Sequence, residues 1–165
     1  MAEIRANHYL GIDPGKSGGY CLMGPSGQVI LSAPLPYLAD DLQVRDILDS
    51  VFSEAPGPVH CAIEKVSSRP GQGVSSVFRF GFDTGMLHGM ARIAGWKIFT
   101  PTPQKWQQVS GGPTGGDKEV TAAWVARTYP EVPIVMPRCR KFHEGVTDAI
   151  GIAHWLWRSM RQVEK

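Results

Sequence analysis

The chain has 165 residues, 42% of them hydrophobic and 19% charged, with a formal net charge of +2. That length and composition suit one domain, residues 1–165, with a real core, and exclude a disordered tail. No apolar run approaches the ~20 residues that span a bilayer, the first residues lack a basic-then-apolar signal segment, and the three cysteines, Cys21, Cys61 and Cys139, lie far apart, so a membrane-spanning chain, an exported one and a disulfide scaffold or CxxC clip are not expected. A reducing, cytoplasmic compartment is expected instead. The charge is uneven: residues 1–64 carry three bases against eight acids, and residues 65–165 carry fourteen bases against seven acids. The basic half reads either as an anion-binding surface or as a scattered solvated face.

The first third predicts strands. Residues 8–13 form a short apolar run that ends in a Asp-Pro-Gly turn, and residues 18–23 and 28–33 follow across Gly24-Pro25-Ser26-Gly27, the pattern of an antiparallel meander. Residues 40–54 predict an amphipathic helix with Leu42, Ile47, Leu48, Val51 and Phe52 as its stripe. Residues 59–64 predict a central strand. A Gly/Ser/Pro loop at 67–73 leads into a long helix over 74–94, where Gly81, Gly85 and Gly89 recur at every fourth position and allow close approach of another backbone. Val77, Phe80, Leu87, Met90 and Ile93 supply bulk on its other faces. Such a helix needs cover on two sides: its own sheet, and either a second subunit or the rest of the monomer. Phe78 and Phe80 are expected in the core or a dimer interface.

Residues 96–100 predict a further strand and 103–109 a short helix. A glycine-rich loop at 110–116 precedes a helix over 117–129. The last helix, 143–162, has the stripe Val146, Ala149, Ile150, Ala153, Leu156, Trp157 and Met160, close to the 3.6-residue period. The order predicts an α/β fold with one mixed sheet, three antiparallel strands followed by parallel ones, flanked by helices.

Four carboxylates could carry chemistry. Asp13 ends the first strand; it either caps its own turn or marks a site at a strand end. Glu64 likewise ends a strand, reaching solvent or a cleft. Glu144 and Asp148 share one face of the last helix; acids favour such helix starts anyway, but the same face continues as Gly151, Ile152 and Trp155, which argues that it is covered. Should the helix pack over the ends of neighbouring strands, all four acids converge. Two like charges ~4 Å apart repel by ~4 kcal/mol at an effective dielectric of 20, and an all-oxygen cluster suits hard divalent cations, Mg²⁺ or Mn²⁺. His143-Glu144 has no second histidine to complete a zinc HExxH pattern. The run 111–118 has a P-loop flavour, yet Asp117 stands where its lysine should be, so no ATP site is expected there.

Taken together, GIDPGKSGGYCLM, CAIEKVSSRPGQGVSSVFRFG, PQKWQQ, DKEVTAAWVARTYPE and HEGVTDAIGIAHW resemble the RuvC-type Holliday junction resolvases of the RNase H-like superfamily, with the phage-type and plastid branches most similar. The resemblance runs from about residue 8 to residue 157. It implies a structure-selective endonuclease that cuts four-way DNA junctions as a homodimer in a bacterial or phage-infected cell. It implies two ions per site, held by Asp13, Glu64, Glu144 and Asp148, and products with 5′-phosphate and 3′-hydroxyl ends. The bacterial branch spaces its last two ligands three apart, which makes His143 an alternative to Glu144. Lys105, Lys118, Arg138, Arg140 and Lys141 flank the expected cleft and would grip DNA backbone; Arg69, in the loop after Glu64, either enters the junction or lies on a plain surface loop. The rival readings are a kinase- or actin-like ATPase lobe, for which the chain is too short, an RNase H-fold nuclease for RNA:DNA hybrids, and a junction-binding protein without catalysis.

Overall fold

In the computed structural model, which describes residues 7–36, 41–68, 70–112, 114 and 117–163, the first three strands form a meander. β1 (His8–Asp13), β2 (Gly19–Met23) and β3 (Val29–Pro34) pair antiparallel. After helix α1 (Asp41–Glu54), β4 (Val59–Ile63) returns parallel to β1, and after α2 (Val74–Ile93), β5 (Lys97–Phe99) adds parallel to β4. The sheet order is β3-β2-β1-β4-β5. A four-residue helix α3 (Pro103–Trp106) runs into one turn of 3₁₀ helix, Gln107–Ser110, and α4 (Lys118–Thr128) and α5 (Glu144–Val163) complete the described chain. Each predicted element is present, with ends moved by a few residues at most. No described helix is long and apolar enough to cross a membrane.

The period-2 alternation of the strands sorts side chains into two cores. Leu10, Ile12, Leu22, Cys61 and Ile63 pack with Ile47 and Val51 of α1 and with Leu87, Met90 and Ala91 of α2. On the other face Tyr9, Cys21, Met23 and Ala62 pack with Trp124 and Val125 of α4 and with Val146, Ala149, Ile150, Ala153 and Leu156 of α5. The predicted α5 stripe is therefore the one that reaches the sheet. At its far end the Tyr129 hydroxyl bonds His154 Nδ1 at 2.6 Å, and burial pushes the His154 imidazole down to about 4, so it is neutral at pH 7.

Helix α2 departs from the expected distribution. Leu87 and Met90 are buried, but Ile93 is 88% exposed, and Phe78 and Phe82 stand 75% and 55% exposed. A Cβ added at Gly81, Gly85 or Gly89 would meet nothing within 4 Å. The glycine face is thus not filled by any of the described residues, and Phe78 is not part of the core.

Candidate active site

The register places the first two carboxylates. Ile12 pairs with Ile63 across β1 and β4, and the ladder continues with the Glu64 N–H donating to the Ile12 carbonyl at 3.0 Å, so Asp13 and Glu64 are the next pair along. Because Ile12 and Ile63 point to the α1/α2 core, alternation turns Asp13 and Glu64 to the α5 face. Asp13 also pairs with Gly19 of β2. Gly19, Asp13 and Glu64 form one row across the sheet end.

Helix α5 is seated on that row by glycine. A Cβ on Gly19 would collide with the Gly145 carbonyl, and one on Gly145 with the Ser17 carbonyl; Gly18 and Gly145 form an isolated parallel bridge. Only glycine on both sides lets the helix start this close to the β1–β2 turn, which carries Glu144 and Asp148 to the acids of the strands. His143 is occupied at the helix start, where its Nδ1 accepts from the Val146 N–H at 3.3 Å. Glu144 is exposed, whereas Asp148 is 5% exposed.

Electrostatics report the convergence. The Asp13 carboxyl is pushed well above the usual carboxylate range by burial and by the charges of Glu64, Asp148 and Glu144, against a lowering by Lys118. Burial likewise raises Asp148, with Lys118 opposing and Glu144 adding to it. Lys118 Nζ lies 2.8 Å from Asp148 Oδ2. Burial would pull that ammonium down, but its bond to Asp148 and the charges of Asp148, Asp13 and Glu144 raise it overall. Lys118, expected on the DNA-facing flank, is therefore the cation among the acids. Among the described residues, no three His, Cys, Asp or Glu side chains are grouped closely enough to hold an ion as they stand. The oxygen-only donors fit a hard divalent cation; the Lys118 ammonium holds Oδ2 of Asp148, so an ion on that oxygen would have to displace it, whereas Oδ1 is not engaged by Lys118.

Glu64 has a partner that sequence reasoning missed. Trp106, 1% exposed, donates its Nε1–H to Glu64 Oε1 at 2.7 Å. The indole lies against Gly151 of α5, where a Cβ would stand 2.8 Å from its Cζ3. Gly151 is thus covered, as the apolar continuation of the acid face suggested, and what covers it also holds a carboxylate. The only sequence signal was a lone tryptophan in the polar stretch Gln104-Lys105-Trp106-Gln107.

The other cations are dispersed around this centre. Arg138, Arg140 and Lys141 are exposed on the turn between Val135 and Phe142, an antiparallel bridge just ahead of α5, and Arg138 has φ 66°. Lys105 is exposed, with Nζ 5.6 Å from the Trp155 ring centre. Arg69 lies outside the described residues.

Solved structures share this arrangement of elements. Thermus thermophilus RuvC is 17% identical, with 94% of this chain and 96% of that chain covered at a TM-score of 0.63. T. thermophilus RuvC in complex with Holliday junction substrate gives 15% identity, 93% and 95% coverage and a TM-score of 0.64. The fold is that of RuvC. The yeast mitochondrial Holliday junction resolvase Ydc2 is 13% identical, with 99% of this chain and 83% of that chain covered at 0.52. No protein-family model and no curated protein sequence matches the chain. The RuvC fold agrees with the α/β, RNase H-like architecture that the sequence resemblance implied.

The raised carboxyls have a testable consequence. A group that holds its proton more tightly when folded lowers stability as pH rises above its unfolded value, because the native state then binds more protons than the unfolded one. Asp13→Asn removes that penalty. The metal-free variant should melt a few degrees above the wild type at pH 7, with the gap closing below pH ~4, where Asp13 is protonated in both states. Calorimetry across pH checks this; a gap that does not change with pH would mean that Asp13 carries no such strain.

Proposed function

We propose that the protein is a structure-selective endonuclease, one domain over residues 1–165, that resolves four-way DNA junctions by hydrolysing a phosphodiester in each of two opposed strands. The observation that carries the reading is the Asp13 carboxyl, held above its ordinary range by burial and by three other acids that come from distant parts of the chain. Repelling carboxylates at the ends of adjacent strands have no structural use, and they have a ready one as cation ligands. The RuvC fold supports the same reading.

Asp13, central to the set, would be shared by two ions, with Glu64 holding one, Asp148 the other and Glu144 completing the group. When bound, paired Mg²⁺ or Mn²⁺ ions supply the charge that lowers the pKa of an attacking water and stabilises a departing 3′-oxygen. Trp106 fixes the Glu64 carboxylate by its indole N–H. Lys118 keeps Asp148 partly neutralised and, once displaced from it, stands beside the strand to be cut. Lys105, Arg138, Arg140, Lys141 and Arg69 would hold phosphates on either side. The products would carry 5′-phosphate and 3′-hydroxyl ends. The open glycine face of α2, Gly81, Gly85 and Gly89, would join two copies so that two sites face opposed strands. The setting would be the cytoplasm of a bacterial or phage-infected cell.

Incubation of a labelled mobile junction, a linear duplex and an RNA:DNA hybrid with Mg²⁺ tests the reading. Paired symmetric nicks in the junction are expected. Preferential cutting of the hybrid would make this an RNase H-type enzyme, and junction binding without cutting would make it a non-catalytic binder.

Trp106→Phe keeps a buried ring against Gly151 but loses the N–H donor to Glu64. Junction cleavage should fall roughly 10–100-fold, the usual effect of removing a group that orients a ligand, while the fold persists. Single-turnover rates beside a melting curve check this; unchanged cleavage would mean that Glu64 needs no such support.

A further inference from the structure

Two clefts meet at the short helix α3. The larger, about 420 Å³, lies between Glu64 and Phe80 at the strand ends and belongs to the carboxylate site. Phe80, expected in the core or a dimer interface, is instead a half-buried wall there. The second, about 280 Å³, lies between α3, the 3₁₀ turn after it and the C-terminal half of α5, where Lys105, Gln108, Trp155, Arg158, Ser159 and Gln162 line it. Gln104 lines the first cleft and the next residue, Lys105, lines the second, so the two adjoin across a single peptide bond.

The lining of the second cleft carries two cations and no acid. Neither Lys105 nor Arg158 forms an ion pair with a described carboxylate. Lys105 is held instead over the Trp155 ring, with Nζ 5.6 Å from its centre, where the face of the indole attracts an ammonium. Turning from that ring to a phosphate oxygen leaves no carboxylate stripped of its partner. Arg158 is exposed and presents the planar donor fork that matches a phosphate. The Ser159 hydroxyl donates to the Trp155 carbonyl and the Gln108 amide to the Gln104 carbonyl, so these side chains are tied to the walls and recognition falls to the cations. The cleft is smaller than the roughly 300–1,000 Å³ of sites that enclose a whole small molecule, and it suits one charged group of a longer ligand.

Its place on α5 says which ligand. Trp155 follows Asp148 by two helical turns and so stands on the same side of α5, about 10 Å further along; Arg158 is about 15 Å along. A DNA strand advances ~3.4 Å per nucleotide. On the nuclease reading above, we propose that the Lys105–Arg158 cleft is a clamp for the phosphate backbone of one duplex arm, roughly three to four nucleotides from the scissile phosphate. It touches no base, so it acts on every sequence alike. A strand held at the acids and again beside Trp155 cannot pivot about the cut, and the clamp thereby fixes the direction in which that arm leaves the site.

Fluorescence anisotropy of a labelled four-way junction with the full chain in EDTA reads binding without cleavage. Arg158→Ala and Lys105→Ala should each weaken binding roughly 3–10-fold and lower the slope of log affinity against log salt by about one. Arg158→Lys should keep the slope, which separates lost charge from lost fold. Junctions with a single uncharged methylphosphonate, moved stepwise along each strand, locate the contact. The wild type should lose affinity when the neutral group stands at roughly the third or fourth phosphate from the cut, and Arg158→Ala should lose nothing further there. Wild-type affinity and slope in both alanine variants, or an undiminished penalty at those phosphates with Arg158→Ala, overturns the clamp while leaving the nuclease intact. The expected losses of affinity with no cleavage of any DNA in Mg²⁺ overturn the nuclease reading and leave the clamp standing.

Discussion

Asp13→Asn should lower Mg²⁺-dependent cleavage of a four-way junction by roughly a hundred- to a thousandfold or more, the scale of losing one preorganised electrostatic partner, while junction affinity is kept or improved. Asp13 sits at the end of the central strand β1, in register with Gly19 on one side and Glu64 on the other. Its carboxyl is raised by burial and by the charges of all three other acids. An amide in its place keeps the shape and removes the charge. Binding should survive because phosphates are attracted by cations, and one fewer carboxylate lessens repulsion of the strand. Filter binding beside single-turnover kinetics separates the two quantities. Equal loss of both would assign Asp13 a structural role.

The second large effect concerns assembly. Phe78, Phe82, Gly85 and Gly89 follow each other at gaps of four, three and four and so share one face of α2. The two phenylalanines are mostly exposed and the glycines open onto empty space. Burial of such a face against a second copy gives close backbone approach flanked by aromatic anchors, the residues that dominate interfaces. Sedimentation should give twice the chain mass. Phe82→Arg should weaken association roughly 30-fold or more, and Gly85→Arg should leave a single-chain species. With the dimer lost, nicks in the two strands should become independent. A wild type that sediments as one chain at tens of micromolar would overturn this use of α2.

How far the sequence revealed this molecule follows from which forces are local. β1 was legible to the residue, because an apolar run closed by Asp-Pro-Gly is specified by its own turn. α5 was legible because its stripe repeats over five turns. The alternation in Val59–Ile63 even fixes the face on which Glu64 emerges, once the register with β1 is known; that register is a tertiary fact. Trp106 was illegible as a functional residue, since its role depends on Gly151, forty-five positions away, leaving room for an indole. Lys118 was recognised as a cation near the site but assigned to the flank, because only packing of α4 on α5 brings its ammonium to Asp148. α2 misled for a related reason: helical period says that apolar positions exist all round, but not which of them the same chain covers. Phe80 and Phe78 lie two apart and meet opposite fates, one beside the carboxylates and the other exposed.

The most direct measurement is titration of Mn²⁺ with the protein, following the free ion by electron paramagnetic resonance. Wild type should withdraw Mn²⁺ from solution toward two ions per chain, Mg²⁺ should release it by competition, and Asp13→Asn should lose most of that uptake. If wild type and Asp13→Asn leave the same free Mn²⁺ at every concentration, the acids of β1, β4 and α5 do not form a cation site, and the nuclease reading fails with them.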